Sequence, residues 1–217
     1  MNKTEKVKKL IIDKPLKLDC GKTISNFPLA YETYGKLNEK KNNAILAFHA
    51  LTGDQYASGI NPITNKEGWW NYLLGPGKAI DTEKYFVICA NYIGGCYGSV
   101  GPLSINPDSG QRYMRSFPWI SFSDIVRSQM ELVESFGIKS LHAVVGPSLG
   151  GLLALTASLL NPKKVQRILS IASGLKIQPL QIIHNYEQIK AIESDSLFLG
   201  GNYSQDDPPK LGLELAR

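Results

Sequence analysis

The sequence predicts an α/β fold, a mostly parallel sheet with helices on both faces. Three observations carry this. Short apolar runs without alternation, at 44–48, 85–90, 141–145 and 165–172, read as strands buried on both sides. Helical stretches lie between them, giving β-α-β-α-β-α-β over residues 44–172. Long loops follow the first two of these strands, where open parallel sheets bind ligands.

Each element has its own signal. Residues 16–18 and 29–34 read as short leading strands, and 44–48 (AILAF) as the first buried one. Residues 69–74 read as a helix stopped by Gly75-Pro76-Gly77. Residues 85–90 (YFVICA) form the second buried strand. Ser121 or Ser123 caps a helix that runs to Phe136, with Gly137 as the residue just past its end. Ile125, Gln129, Leu132, Val133 and Phe136 share one face of it. A third strand at 141–145, a helix at 149–160 and a fourth strand at 165–172 follow, closed by Gly174. Residues 176–217 are more polar, with a helical stretch around 182–192 and a loop holding Gly200-Gly201 and Pro208-Pro209. The chain thus divides into a basic leader and first strand (1–28), the α/β core (29–174) and the beginning of a helical lid insertion (175–217).

Composition narrows the class. The chain has 217 residues, 43% apolar and 20% charged, which excludes a disordered or collagen-like chain. Cys20, Cys89 and Cys96 are too few for a disulfide framework, and no Cys/His spacing suggests a zinc site. The net charge is +5, but residues 1–22 hold seven lysines against three acidic residues. That reads as a solvated leader; no basic and aromatic stripe points to nucleic acid. The leader has no apolar core of signal-peptide length. Residues 140–162 carry no formal charge, yet Gly146-Pro147-Ser148 and Gly150-Gly151 would break a spanning helix near its middle. The expectation is a cytoplasmic protein with no membrane or nucleic-acid partner.

The chemistry centres on Gly146-Pro147-Ser148-Leu149-Gly150, a G-x-S-x-G with a strand before it and a helix after it. That context makes it a nucleophile elbow, a tight turn presenting Ser148 at a helix N-terminus. Acyl transfer needs two backbone N–H donors for the oxyanion. Leu149, next to the serine, supplies one, and Leu51 in the loop after the first buried strand is assigned the other. His49 sits at a strand end and reads as a residue that shapes this loop. His142 lies within a strand and reads as a core histidine. His184 follows the serine, but no Asp or Glu stands between them, as the chain order Ser, acid, His requires. No intact triad is expected, so the chain alone is expected to be inactive. Cys96, in Gly94-Gly95-Cys96-Tyr97-Gly98, has no base or cation beside it in sequence and reads as a packing residue.

His49-Ala50-Leu51-Thr52-Gly53-Asp54, Gly94-Gly95-Cys96 with Gly98-Ser99 and Gly101-Pro102, Ser104-Ile105-Asn106-Pro107 and the elbow resemble the homoserine O-acetyltransferase family of α/β-hydrolase-fold enzymes. Tyr31-Glu32-Thr33-Tyr34-Gly35 resembles its opening strand, and Gly212-Leu213 with Ala216-Arg217 the segment ending in its substrate-binding arginine. Pro147, Leu149 and Leu153 depart from the family pattern. The resemblance implies an N-terminal portion of a transferase, a truncated α/β-hydrolase fold, in which Ser148 takes an acetyl group from acetyl-CoA and passes it to L-homoserine in methionine biosynthesis. It implies Arg217 on the homoserine carboxylate, acetyl-CoA as co-substrate with no bound cofactor or metal, and a homodimer for the complete protein. A succinyl-CoA-using transferase, a serine hydrolase on the same fold and an inactive fragment remain the alternatives.

Overall fold

The computed structural model describes residues 7–203 and 206–217; Lys3, Glu5 and Lys6 of the basic leader lie outside the described residues. The chain forms two compact units: the chain up to Gly101 with Pro118–Ser173, and Pro102–Phe117 with Gly174–Arg217.

The first unit is built on a six-stranded sheet. Its elements in chain order are β1 (Lys9–Ile12), a hairpin of β2 (Leu16–Lys17) and β3 (Thr23–Ile24), β4 (Phe27–Tyr34), β5 (Ala44–Ala47), a parallel pair β6 (Leu74–Gly75) and β7 (Ile80–Asp81), β8 (Phe86–Ala90), α1 (Phe122–Ser135), β9 (Ala143–Pro147), α2 (Leu149–Leu160) and β10 (Ile168–Ile171). The strand order is β1-β4-β8-β5-β9-β10. β8, β5, β9 and β10 run parallel, while β4 joins β8, and β1 joins β4, antiparallel. All residues of β5 and β8 are buried, as their unbroken apolar runs require.

α1 starts with a capping box. The Ser121 hydroxyl accepts from Asp124 N, and the Asp124 carboxylate accepts from Ser121 N at 2.8 Å and Asp19 N at 3.0 Å. Arg127 ion-pairs with Asp124 and, at 2.6 Å, with Asp19, so the fully buried Asp124 is compensated. Gly137 (φ 71°) ends the helix. α1 and α2 pack against each other.

Three expectations change. Residues 69–74 are turns ending in β6, not a helix. Six residues cannot stabilise a helix alone, and tertiary contacts take over: Trp70 N donates to Ala57 O at 2.7 Å and Trp69 Nε1 to Asp54 O at 2.9 Å. Ala57, Trp70 and Leu74 then cover the sheet face bearing Ile45, Ala47, Val87, Cys89 and Val145. Within the basic leader, residues 9–12 are a strand, because Leu10 pairs with Leu29 and Ile12 with Phe27 and buries beside it. The third and fourth parallel strands each begin later than their apolar runs, Leu141 and Val165 meeting only in an isolated bridge.

In the second unit, α3 (Pro179–Glu193) packs on α4 (Lys210–Leu215). Gly212 permits this, since a Cβ there would stand 2.7 Å from Ala191 O. Asp195 accepts from Leu197 N and Gly212 N, both at 2.9 Å, and these bonds hold its carboxyl below its ordinary range. Among the described residues no helix is long and apolar enough to cross a membrane.

Candidate active site

Ser148 joins β9 to α2 with φ 54° and ψ −120°, backbone values a side chain rarely adopts. Holding a non-glycine residue there costs on the order of 1–3 kcal/mol, and the surroundings must over-determine it. They do. A Cβ on Gly146 would meet the Gly150 carbonyl at 2.4 Å, and one on Gly150 would meet Phe48 O at 2.3 Å. Only glycines at these two places let β9, α2 and the end of β5 close on one another. Ser148 N donates to Ile171 O at 2.9 Å, and Ser148 O accepts from Gly151 N, Leu152 N and the Ser173 hydroxyl. The side chain is exposed, and among the described residues its hydroxyl has no hydrogen-bond partner. An unencumbered hydroxyl at the N-terminus of a twelve-residue helix is arranged to receive developing negative charge.

The loop after β5 is held by its own histidine. His49 is 2% exposed and stacks on Tyr92, ring centroids 3.7 Å apart. Its Nδ1–H donates to Ala50 O at 2.7 Å, its Nε2 faces Asn91 Nδ2 at 3.5 Å, and the Tyr92 hydroxyl donates to His49 O. Burial depresses the imidazole pKa to about 4, so the ring is neutral near pH 7. Farther along, Asp54 accepts from Tyr56 N at 2.8 Å and Asn61 Nδ2 at 2.9 Å; burial pushes its carboxyl up against the effect of these two bonds. Between the two anchors Leu51 stands 76% exposed.

Leu51 and Leu149 line one cavity of about 240 Å³, with Ile93, Cys96, Ile120 and Ile125 among its other walls. The glycine-rich loop forming one wall hangs on Asn91: its Oδ1 accepts from Tyr97 N at 3.3 Å and its carbonyl from the Ser99 hydroxyl at 2.6 Å. The sequence reading missed Asn91 and Tyr92. A polar residue and an aromatic directly after a buried strand, ahead of paired glycines, were the available signal.

The structure brings Leu51 and Leu149 to one cavity and places Ser148 at the turn beside Leu149. Arg217 lies exposed, just past α4 in the second unit. His142 is half-buried, with Tyr85 at 4.8 Å between ring centroids and Arg167 Nη1 3.4 Å from its Nδ1; burial, then Arg167, lowers its pKa. His184 is on α3. Burial raises the Cys96 thiol pKa, which works against its serving as a rival nucleophile. Among the described residues no imidazole is hydrogen-bonded to Ser148, and no group of three or more His, Cys, Asp or Glu could hold a metal ion.

A family model described as alpha/beta hydrolase fold matches residues 43–217. The chain is 53% identical over its whole length to a homoserine O-acetyltransferase of Pelagibacter ubique, of which it spans 59%. Among solved structures, homoserine O-acetyltransferase from Bacillus anthracis superposes with a TM-score of 0.90 at 36% identity, covering 97% of this chain and 58% of that one. Esterase E22 superposes with a TM-score of 0.87 at 32% identity, covering 97% and 59%.

Proposed function

Since the chain belongs to the α/β-hydrolase fold family, we propose that Ser148 is the acyl acceptor of an acyltransferase that moves acetyl from acetyl-CoA to L-homoserine. The observation that carries the reading is the elbow: a strained, exposed serine at a helix N-terminus, in a chain 53% identical to a homoserine O-acetyltransferase. In the first step Ser148 Oγ bonds to the thioester carbonyl, the C–S bond breaks, and the serine proton leaves with the CoA thiol. In the second, the homoserine side-chain oxygen bonds to the same carbonyl, the serine ester C–O bond breaks, and the hydroxyl proton returns to Ser148. Leu51 N and Leu149 N hold the oxyanion of both tetrahedral intermediates. Arg217 binds the homoserine carboxylate, a pairing its guanidinium suits. The same proposal carries a cytoplasmic location, supported by three free cysteines, and a homodimer, supported only by the family resemblance.

His49 does not serve as the base: both ring nitrogens are turned to Ala50 and Asn91. With no described base on Ser148, the 217-residue chain should acylate slowly, roughly 10⁴–10⁶ below an intact serine enzyme. The test is intact-mass analysis of the chain after incubation with acetyl-CoA, followed by addition of homoserine. A single acetyl gain absent in Ser148→Ala, discharged to O-acetylhomoserine, is the expected result. The likeness to esterase E22 favours a second reading in which water takes the acetyl group. Free acetate without the homoserine ester would establish that one. No acetyl gain on Ser148, even after an incubation long enough to cover that slower rate, would end both.

A further inference from the structure

Resting on the reading of Ser148 as acyl acceptor with Leu149 N as an oxyanion donor, we infer that Ser173 is a positioning residue for that donor, acting through the Ser148 carbonyl. The carbonyl of Ser148 and the N–H of Leu149 are opposite ends of one planar peptide. Whatever fixes the oxygen therefore also aims the hydrogen. Three donors reach that oxygen: Gly151 N at 3.0 Å, Leu152 N at 3.2 Å and the Ser173 hydroxyl. The first two belong to α2 and move with it. Ser173 lies just beyond β10, so its bond ties this peptide to the end of the neighbouring strand.

The surroundings make room for this contact. The elbow pattern needs Gly146 and Gly150 and gives no reason for Gly151. A Cβ on Gly151 would stand 2.1 Å from Ser173 Oγ and 2.8 Å from Ser170 Oγ, so the second glycine vacates the space that the hydroxyl fills. Ala172, between β10 and Ser173, takes φ 50°, a left-handed value that favours glycine. Ile171 O accepts from Ser148 N at 2.9 Å and lies 3.1 Å from Ser173 Oγ. The N–H and the carbonyl of the strained serine thus both meet residues 171–173. A hydroxyl bonded to the carbonyl also polarises the peptide, which makes Leu149 N–H a stronger donor to a developing oxyanion. Ser170 offers the contrast: its hydroxyl is buried beside the same glycine and has no partner among the described residues.

The 217-residue chain and its variants are incubated with acetyl-CoA carrying a heavy carbon isotope at the carbonyl. Acetyl gain on Ser148 is followed by intact mass, and the ester carbonyl stretch by infrared difference spectroscopy. Removing an oxyanion donor outright slows acyl transfer about 10²–10³-fold, and misaiming one should cost less. Ser173→Ala should acetylate about tenfold more slowly at saturating acetyl-CoA, with the half-saturating concentration unchanged. Its ester band should move to higher wavenumber, because the hydrogen bond to the ester carbonyl weakens. Ser170→Ala should keep the wild-type rate and band. A Ser173→Ala protein with a lowered urea midpoint but the wild-type rate and band would make Ser173 a packing residue and overturn the inference. Where Ser173→Ala does not fold, Ser173→Cys keeps a weak donor at the same place. An intermediate rate and band there support the inference, and wild-type values overturn it. Absence of acetyl on Ser148 in the wild-type chain overturns the acyl-acceptor reading and the inference with it, whereas acetylation indifferent to Ser173 overturns the inference alone.

Discussion

His49 lies flat against Tyr92, with ring planes 16° apart, and receives the Tyr92 hydroxyl on its own carbonyl. The two residues lie just beyond the ends of the neighbouring parallel strands β5 and β8, so their contact ties the loop carrying Leu51 to the glycine-rich loop. The histidine at the strand end is a clamp.

This clamp makes stability depend on pH. Burial holds the His49 pKa at about 4 in the fold, against the ordinary 6.5 of a solvated imidazole. The unfolded chain therefore binds the extra proton first as pH falls, and stability drops between about pH 6.5 and 4, by about 3 kcal/mol. Above pH 6.5 the contribution is fully present. Urea unfolding across this range should show the slope, and His49→Gln should flatten it. The difference between the two proteins isolates His49 from Asp54, whose carboxyl is raised by burial and slopes the other way.

Tyr92→Phe keeps the stacked ring and removes the hydroxyl from His49 O. It should lower the stability of the chain by about 1 kcal/mol and slow acetylation of Ser148 without changing the cavity volume. Equal acetylation rates in the two proteins would separate the clamp from the oxyanion loop.

Gly150→Ala places a methyl 2.3 Å from Phe48 O and 2.8 Å from His49 O. Backbone cannot yield as a side-chain tip can, so α2 must move off β5. A loss of about 1–3 kcal/mol of unfolding free energy, read as a lower urea midpoint, is expected, together with loss of Ser148 labelling by a fluorophosphonate.

Ser148→Gly and Ser148→Ala separate strain from chemistry. Both remove the hydroxyl and should abolish acetylation. Glycine accepts φ 54° and should raise stability by about 1 kcal/mol, whereas alanine keeps the strain and should stay near wild type. Identical thermal midpoints for the two variants would mean that the elbow stores no strain.

Much of this was legible in one dimension, and the reason is local. The strand-turn-helix at Ser148 needs only a buried apolar run, glycines two residues either side and an apolar helix, all within some twenty consecutive residues. The cap at Ser121 and the stop at Gly137 are likewise decided by neighbours three or four positions away. Residues 69–74 failed for the opposite reason: their partners, Ala57 and Asp54, lie a dozen or more positions back.

What the sequence by itself determined is the order of the parallel elements and the placing of a serine at the turn between β9 and α2, because turn chemistry and burial on both strand faces are written in adjacent residues. The tertiary structure alone decided that residues 9–12 join the sheet edge, that burial against Tyr92 keeps His49 neutral, and that Leu51 and Leu149 share an uncharged cavity. Each depends on groups far apart in the chain meeting across strands, where contact and desolvation, not local propensity, select the outcome.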